Sequence, residues 1–320
     1  MNEALTQDSS FPIPSQVLET VGSWHLLAGM VRSSRAVHSG STVAAYWQSG
    51  ILFCRQFAHR ETLRGWYGAG RSPLQQTFAW RPELATVVRR PYISTGWQVR
   101  RRLRSIEEHY RLLTGRRRGL RLERGASVAL ASVTSRSAAV QVVLDSPPWF
   151  IHEGELSVNL FHEGKRIYTL AFSLGIDAGE PVAYAGAIQG LGSEDALALY
   201  RSLTHALHGM RPRDLLIAAF RVLCGELGLA RWLAVGDQTR VAGSPYFGAS
   251  KKVRTSYDEV WQEHGGRRRA DGFFCMPVEI PRRTHEAIPA RKRSLYRQRY
   301  EMLDRLAAEL GHSLGARDRA

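Results

Sequence analysis

The stretch PVAYAGAIQGLGSEDALALYRSLTHALHGMRPRDLL, Pro181 to Leu216, decides the fold of this chain, because an apolar strand there breaks at a glycine corner and gives way to two helices. Val182, Tyr184, Gly186 and Ile188 alternate with Ala183, Ala185, Ala187 and Gln189, small or apolar on both faces, as in a strand buried inside a sheet. Gly190 and Gly192 remove the Cβ atoms at the turn, and Ser193, Glu194 and Asp195 place acceptors at a helix start. Ala196, Leu199, Leu203 and Leu207 mark the first helix, which ends at Gly209. Pro212 opens the second, whose Leu216, Phe220, Leu223 and Leu227 run to Gly228.

Upstream of the corner the period is that of strands. Four more are predicted, at 127–133, 138–144, 155–162 and 166–174, before the one at 181–188. The pairs Glu163-Gly164 and Ala178-Gly179 suit tight turns, so consecutive strands are expected to run antiparallel as a meander. Downstream come a strand at 231–235, a helix in Ser256 to Gly266, a strand at 273–278 and a last helix from Lys292 to Leu310. Residues 16–125 read instead as short helices broken by Gly and Pro, with Trp24, Trp47, Trp66, Trp80 and Trp97 as aromatic anchors.

These patterns predict an α+β protein: an N-terminal helical layer packed on a mostly antiparallel mixed sheet with covering helices. The organisation expected is a disordered leader at 1–15, a helical region at 16–125, an α+β core at 126–312 and a disordered tail at 313–320.

The chain has 320 residues, 44% of them apolar, enough for a substantial core. Its charge of +15 is uneven: 19 basic residues stand against 8 acidic in 1–125, 9 against 11 in 126–245, and 16 against 10 in 246–320. Such a chain attracts polyanions, so a polyanion-binding module is one reading of it, with an anionic ligand or an anionic membrane surface as the expected partner. Nucleic acid is not, since no RRM, KH, zinc-finger or helix-turn-helix pattern is present. Cys54, Cys224 and Cys275 are scattered and odd in number, which points to a reducing compartment and gives no metal-ligand spacing. Glu3 and Asp8 stand where a secretion signal carries basic residues, and no apolar run approaches the roughly 20 residues that span a bilayer. A cytoplasmic location, peripheral to the inner membrane at most, is therefore expected.

In order along the chain, RPYISTGWQVRRRLRSIEEHYRLL, GELSVNLFHEGKRIYTLAFSL, GAIQG, LHGMRPRDLLIAAF, YDEVWQEHGG and KRSLYRQRYEMLDRL resemble the VirK/YbjX family of Gram-negative bacterial proteins, over roughly Ser41 to Leu310. That resemblance implies a virulence-associated factor supporting the cell envelope or surface proteins and resistance to host antimicrobial peptides. It brings no catalytic residue and no cofactor with it.

The order of sheet, glycine corner, helix, strand, helix and strand is also similar to acyl-CoA N-acyltransferases of the GNAT type, in which a loop of QxxGxG/A form offers backbone N–H groups to a pyrophosphate. Gln189, Gly190 and Gly192 fit that loop in part, while Glu194 departs from it. The cofactor implied is acyl-CoA, held by Gln189, Gly190, Gly192, Arg211 and Arg213, with His208, Tyr257 and Asp258 as candidates for proton transfer. Each has a structural alternative. The corner would merely cap a helix, His208 would cap a helix end, and Asp258 would dock the last helix through the basic run Arg291 to Arg299. The arginines of QVRRRLR, 98–104, stand largely off the apolar stripe of their helix, as a solvated basic face or an anion-binding surface.

Overall fold

The computed structural model describes residues 15–67, 73–113, 119–135, 138–147, 149–193, 195–244 and 255–319. The leader expected at 1–15 therefore lies outside the described residues except for Ser15, as do Glu194 and residues 245–254. The chain divides into two compact units, one reaching Val88 and one starting at Arg89.

The first unit is helical: α1 (Ser15–Val37), α2 (Val43–Ala58), α3 (Arg60–Tyr67), α4 (Pro73–Trp80) and a 3-10 stretch, Pro82–Val88. Thr42 starts α2 by accepting the Ala45 N–H on its hydroxyl (3.2 Å). Met30, Leu52, Leu63, Trp66, Leu84 and Val87 form the core. Gln56 is buried among them without penalty, because its amide nitrogen donates to Ser34 Oγ (2.8 Å) and its carbonyl accepts from Tyr67 Oη. Trp66 is the anchor the sequence predicts, packed edge-on against Phe78. Trp24, Trp47 and Trp80 are not anchors; they remain 64–70% exposed. On α2 the inward positions are Ser49, Leu52 and Gln56, at three- and four-residue spacing, and that spacing turns Trp47 outward.

The second unit is built on an eight-stranded sheet: β1 (Ser127–Ser135), β2 (Ala138–Asp145), β3 (Leu156–His162), β4 (Lys165–Asp177), β5 (Glu180–Gly190), β6 (Arg231–Val235), β7 (Arg267–Arg268) and β8 (Phe273–Pro277). The spatial order is β1-β2-β3-β4-β5-β6-β8-β7, antiparallel throughout except for the parallel pair β5–β6. Glu163-Gly164 and Ala178-Gly179 make their hairpins with all four residues at positive φ, the backbone that suits the twist of two-residue connections. The crossover from β5 to β6 is α6 (Ala196–Ala206) and α7 (Pro212–Glu226); α8 (Tyr257–Glu263) and α9 (Arg293–Arg319) follow. α7 lies on β3 and β4, α9 on β1, and α5 (Val99–Leu112) on β4. Phe172, Phe220, Trp232 and Trp261 run through the core in successive edge-to-face contacts of 5.0, 5.1 and 5.7 Å.

Two boundaries differ from the sequence expectation. α5 belongs with the sheet, because Leu103 and Ile106 are fully buried and His109 Nδ1 accepts the Leu174 N–H of β4 (3.0 Å). The residues expected as a disordered tail continue α9 to Arg319. Leu314 is buried, Ser313 Oγ donates to the Leu130 carbonyl (2.7 Å) and Arg317 Nε to the Gly119 carbonyl (2.8 Å), and these anchors hold the last turns. Beneath α5, the buried Glu155 carboxylate accepts hydrogen bonds from Tyr92 Oη (3.0 Å) and Tyr110 Oη (2.5 Å). Among the described residues no helix is long and apolar enough to cross a membrane.

Candidate functional site

The site forms where β5 and β6 part. These parallel strands pair over Ala183–Ala185 against Trp232–Ala234 and no further. Just beyond, β5 carries a bulge: Ala171 pairs with Ala187 and Phe172 with Ala185, leaving Gly186 unpaired. A Cβ on Gly186 would lie 2.0 Å from the Glu153 carbonyl oxygen, so glycine lets residues 149–154 close over the bulge. Ile188, past the last β5–β6 rung, donates its N–H to the phenol oxygen of Tyr257 (3.1 Å) instead of to a strand. Tyr257 is buried at the start of α8, and burial pushes its phenol up to about 12; the Ile188 N–H and Arg240, whose guanidinium lies 5.0 Å over the ring, pull the other way, while Glu153 and Asp237 add to the rise. It is therefore a neutral O–H at physiological pH.

At the far end of β5, Gln189 pairs with Thr169 and Gly190 with Tyr168, so Gly190 is still a strand residue and the turn begins after it. A Cβ there would sit 2.6 Å from Tyr200 Oη and 2.9 Å from the Tyr168 ring. Gly192 is exposed with open space around it. Tyr200 Oη accepts the Leu191 N–H (2.6 Å) and donates to the Ile167 carbonyl (2.9 Å). One backbone donor of the corner is thus already committed to a side chain.

Beside the two tyrosines opens a cleft of about 400 Å³, lined by Leu197, Arg201 and Thr204 of α6 and by Arg211 to Arg213 at the start of α7. Arg211 and Arg213 reach it together, as the corner reading requires, but both are tied to carboxylates. Each donates to Glu263 at the end of α8, and Arg211 Nε donates to Asp214 (2.8 Å). Burial by itself would raise the Asp214 carboxyl, but hydrogen bonds from His264 and Arg211, with their charges, hold it at about 2. Arg201 is exposed and has no carboxylate partner among the described residues. The cleft therefore keeps a positive wall facing an aromatic one, the Tyr168 and Tyr200 rings lying 5.3 Å apart.

His208 does not join this group. It stands at positive φ after the last turn of α6, its Nε2 against Ser135 Oγ (2.6 Å) at the end of β1, and its carbonyl accepts from Arg299 Nη2 (2.8 Å). Asp258 pairs with Arg268 of β7 (2.9 Å), not with the run Arg291 to Arg299, because β7 runs beside α8 at the sheet edge; its other oxygen accepts the Asp237 N–H (2.7 Å). Asp237 in turn accepts from Ser256 Oγ (2.7 Å) and the Tyr257 N–H (2.9 Å), clasping the start of α8 to the end of β6. Tyr168, Tyr200, Arg201 and Glu153 are absent from the sequence-derived set. Leu197, Tyr200, Arg201 and Thr204 do recur at i, i+3, i+4 and i+7, a second stripe of α6 beside the core stripe. Among the described residues no cluster of His, Cys, Asp and Glu is suited to a metal.

A mixed sheet with one parallel pair, a helical crossover and a cationic cleft at the carboxyl end of its central strand defines an α+β protein with a ligand-sized opening. By sequence the chain belongs to the family described as protein of unknown function DUF535, whose pattern matches residues 43–312. It is 25% identical over 246 residues to the uncharacterized protein YbjX of Escherichia coli, covering 72% of each chain. Two uncharacterized proteins of Haemophilus influenzae are 34% identical over 161 residues and 30% identical over 165; the matches cover 49% and 51% of this chain and 52% and 53% of theirs, so the chain spans about half the length of these relatives. No solved structure matches it.

Proposed function

We propose that the chain is an acyltransferase of GNAT-like design, taking an acyl group from acyl-CoA or an acyl carrier to an amine at the carboxyl end of β5. The observation that carries this reading is the parallel pair that stops after three rungs, with the buried phenol of Tyr257 on the freed Ile188 N–H. The strand order, the β5 bulge at Gly186 and the glycine corner before α6 support the same likeness. Tyr200 occupies the Leu191 N–H, so the phosphates of the donor would be met by Arg201, Arg211 and Arg213 and less by the corner amides.

The donor supplies a thioester carbonyl. As the amine nitrogen bonds to that carbon and the C–S bond breaks, Tyr257 gives its proton to the departing sulfur, and the amine proton returns to the phenolate, directly or by way of Glu153. Burial keeps this phenol fully protonated before the step, so it enters as the proton donor. The resemblance to VirK/YbjX proteins supports reading this chemistry as one that serves the cell envelope and resistance to host antimicrobial peptides.

Saturating acyl-CoA is expected to raise the melting temperature by several degrees, and Arg201→Glu to abolish that rise. Tyr257→Phe keeps the binding shift but slows release of free thiol by about 100-fold. No shift of the wild type with CoA, acyl-CoA or acyl carrier sinks the proposal.

A further inference from the structure

Away from that cleft, a second groove of about 600 Å³ opens at the start of α5, lined by Gly96, Trp97, Gln98, Arg100, Arg101 and Arg104. Two features fix its floor. Arg101 is clamped by Glu108 (2.9 Å), the Ile176 carbonyl (3.2 Å) and Tyr184 Oη (3.0 Å), and its guanidinium stacks 4.7 Å over the Trp97 ring. Arg102 turns the other way and holds the Trp97 carbonyl (2.8 Å) and the Arg90 carbonyl (2.9 Å), so the indole is anchored through its own backbone as well.

Arg100 and Arg104 are in a different condition. Both are exposed, and neither has a carboxylate partner among the described residues; Glu107, three positions on from Arg104, is not within ion-pair distance of it. One turn apart, they repel each other, and as cations in the first turns of a helix they oppose its dipole. Gln98 at the N-cap makes no side-chain cap hydrogen bond. With Arg101 neutralised by Glu108 and laid over the Trp97 ring, which Tyr184 and Phe273 also pack against, the groove carries two uncompensated positive charges, on Arg100 and Arg104.

We infer that this groove is a binding site for a phosphate monoester, with the dianion between Arg100 and Arg104. Two charges match a dianion, and the guanidinium fork matches phosphate oxygens. The same chemistry is found in soluble phosphate esters and in the monoester headgroup of phosphatidic acid.

The test is calorimetric titration of the full chain at low salt with phenyl phosphate, with flotation on phosphatidylcholine vesicles with and without phosphatidic acid. Arg100→Gln/Arg104→Gln is expected to weaken phenyl phosphate binding by at least about tenfold. Both side chains are exposed, so circular dichroism of the double variant should match the wild type. Arg201→Gln, in the other cleft, is expected to leave this binding unchanged, which separates failure here from failure of the acyltransferase. Flotation that needs phosphatidic acid and is lost in the double variant identifies the lipid headgroup as the source. Phenyl phosphate binding without flotation identifies a soluble ester. Binding of neither probe by the wild type, equal binding by the double variant, or an equal loss in Arg201→Gln overturns the inference.

Discussion

At pH 7 the Asp214 carboxylate is ionised with a wide margin, because the pull of His264 and Arg211 exceeds the cost of its burial and keeps it at about 2 against 3.8 when unfolded. A carboxyl depressed on folding stabilises the native state above its unfolded value and loses that contribution as pH falls through the folded one. Between pH 5 and pH 2 the wild type should therefore lose about 2 kcal/mol that Asp214→Asn does not lose, read from urea melts at stepped pH. Glu263 and Asp237 are also held below the ordinary carboxylate range and steepen the same window in both proteins. Arg211, Arg213 and Tyr257 were legible in the sequence from charge and helical spacing. Glu263, which holds both arginines, is not legible there, since it lies 50 residues from Arg213 and its part depends on how α8 lies beside α7. Tyr200 was hidden for another reason: a tyrosine on the outer stripe of a helix gives no sign that its hydroxyl bonds the preceding corner.

α9 illustrates what periodicity misses at the level of an element. Its apolar stripe was legible as far as Leu310, but the chain beyond it, GHSLGARDRA, has one strong apolar residue and looks solvated. Leu314 is that residue, and it is buried. Leu314→Ala should cost about 2 kcal/mol and lower the melting temperature accordingly, while Arg305→Ala on the exposed side of the same helix should cost little. The strands are more legible, because alternation and glycine-containing turn pairs are local signals. β7 was missed for lack of any: two exposed arginines become a strand by pairing with Phe274 and Cys275.

Over the whole molecule, each unit has its own buried set, Met30 and Leu52 in one and Phe172 and Trp232 in the other. A fragment comprising 89–320 is therefore expected to fold alone with a single cooperative melt and native-like near-ultraviolet dichroism; a broad, non-cooperative melt would show that the first unit is required. The class of sheet and its turns were written locally. The placing of α5 with the sheet was not, because nothing in its own residues says that Glu108 and His109 will accept amides of β4. That placing governs Glu155, whose phenol partners come from 63 and 45 residues earlier in the chain. A carboxyl group stripped of water before those hydroxyls arrive would lack two of its hydrogen bonds in the interior. Tyr92, Tyr110 and the start of β3 are thus joined at one dehydrated point, and Tyr110→Phe is expected to loosen both the strap around Tyr92 and the helix, read as faster amide exchange in each.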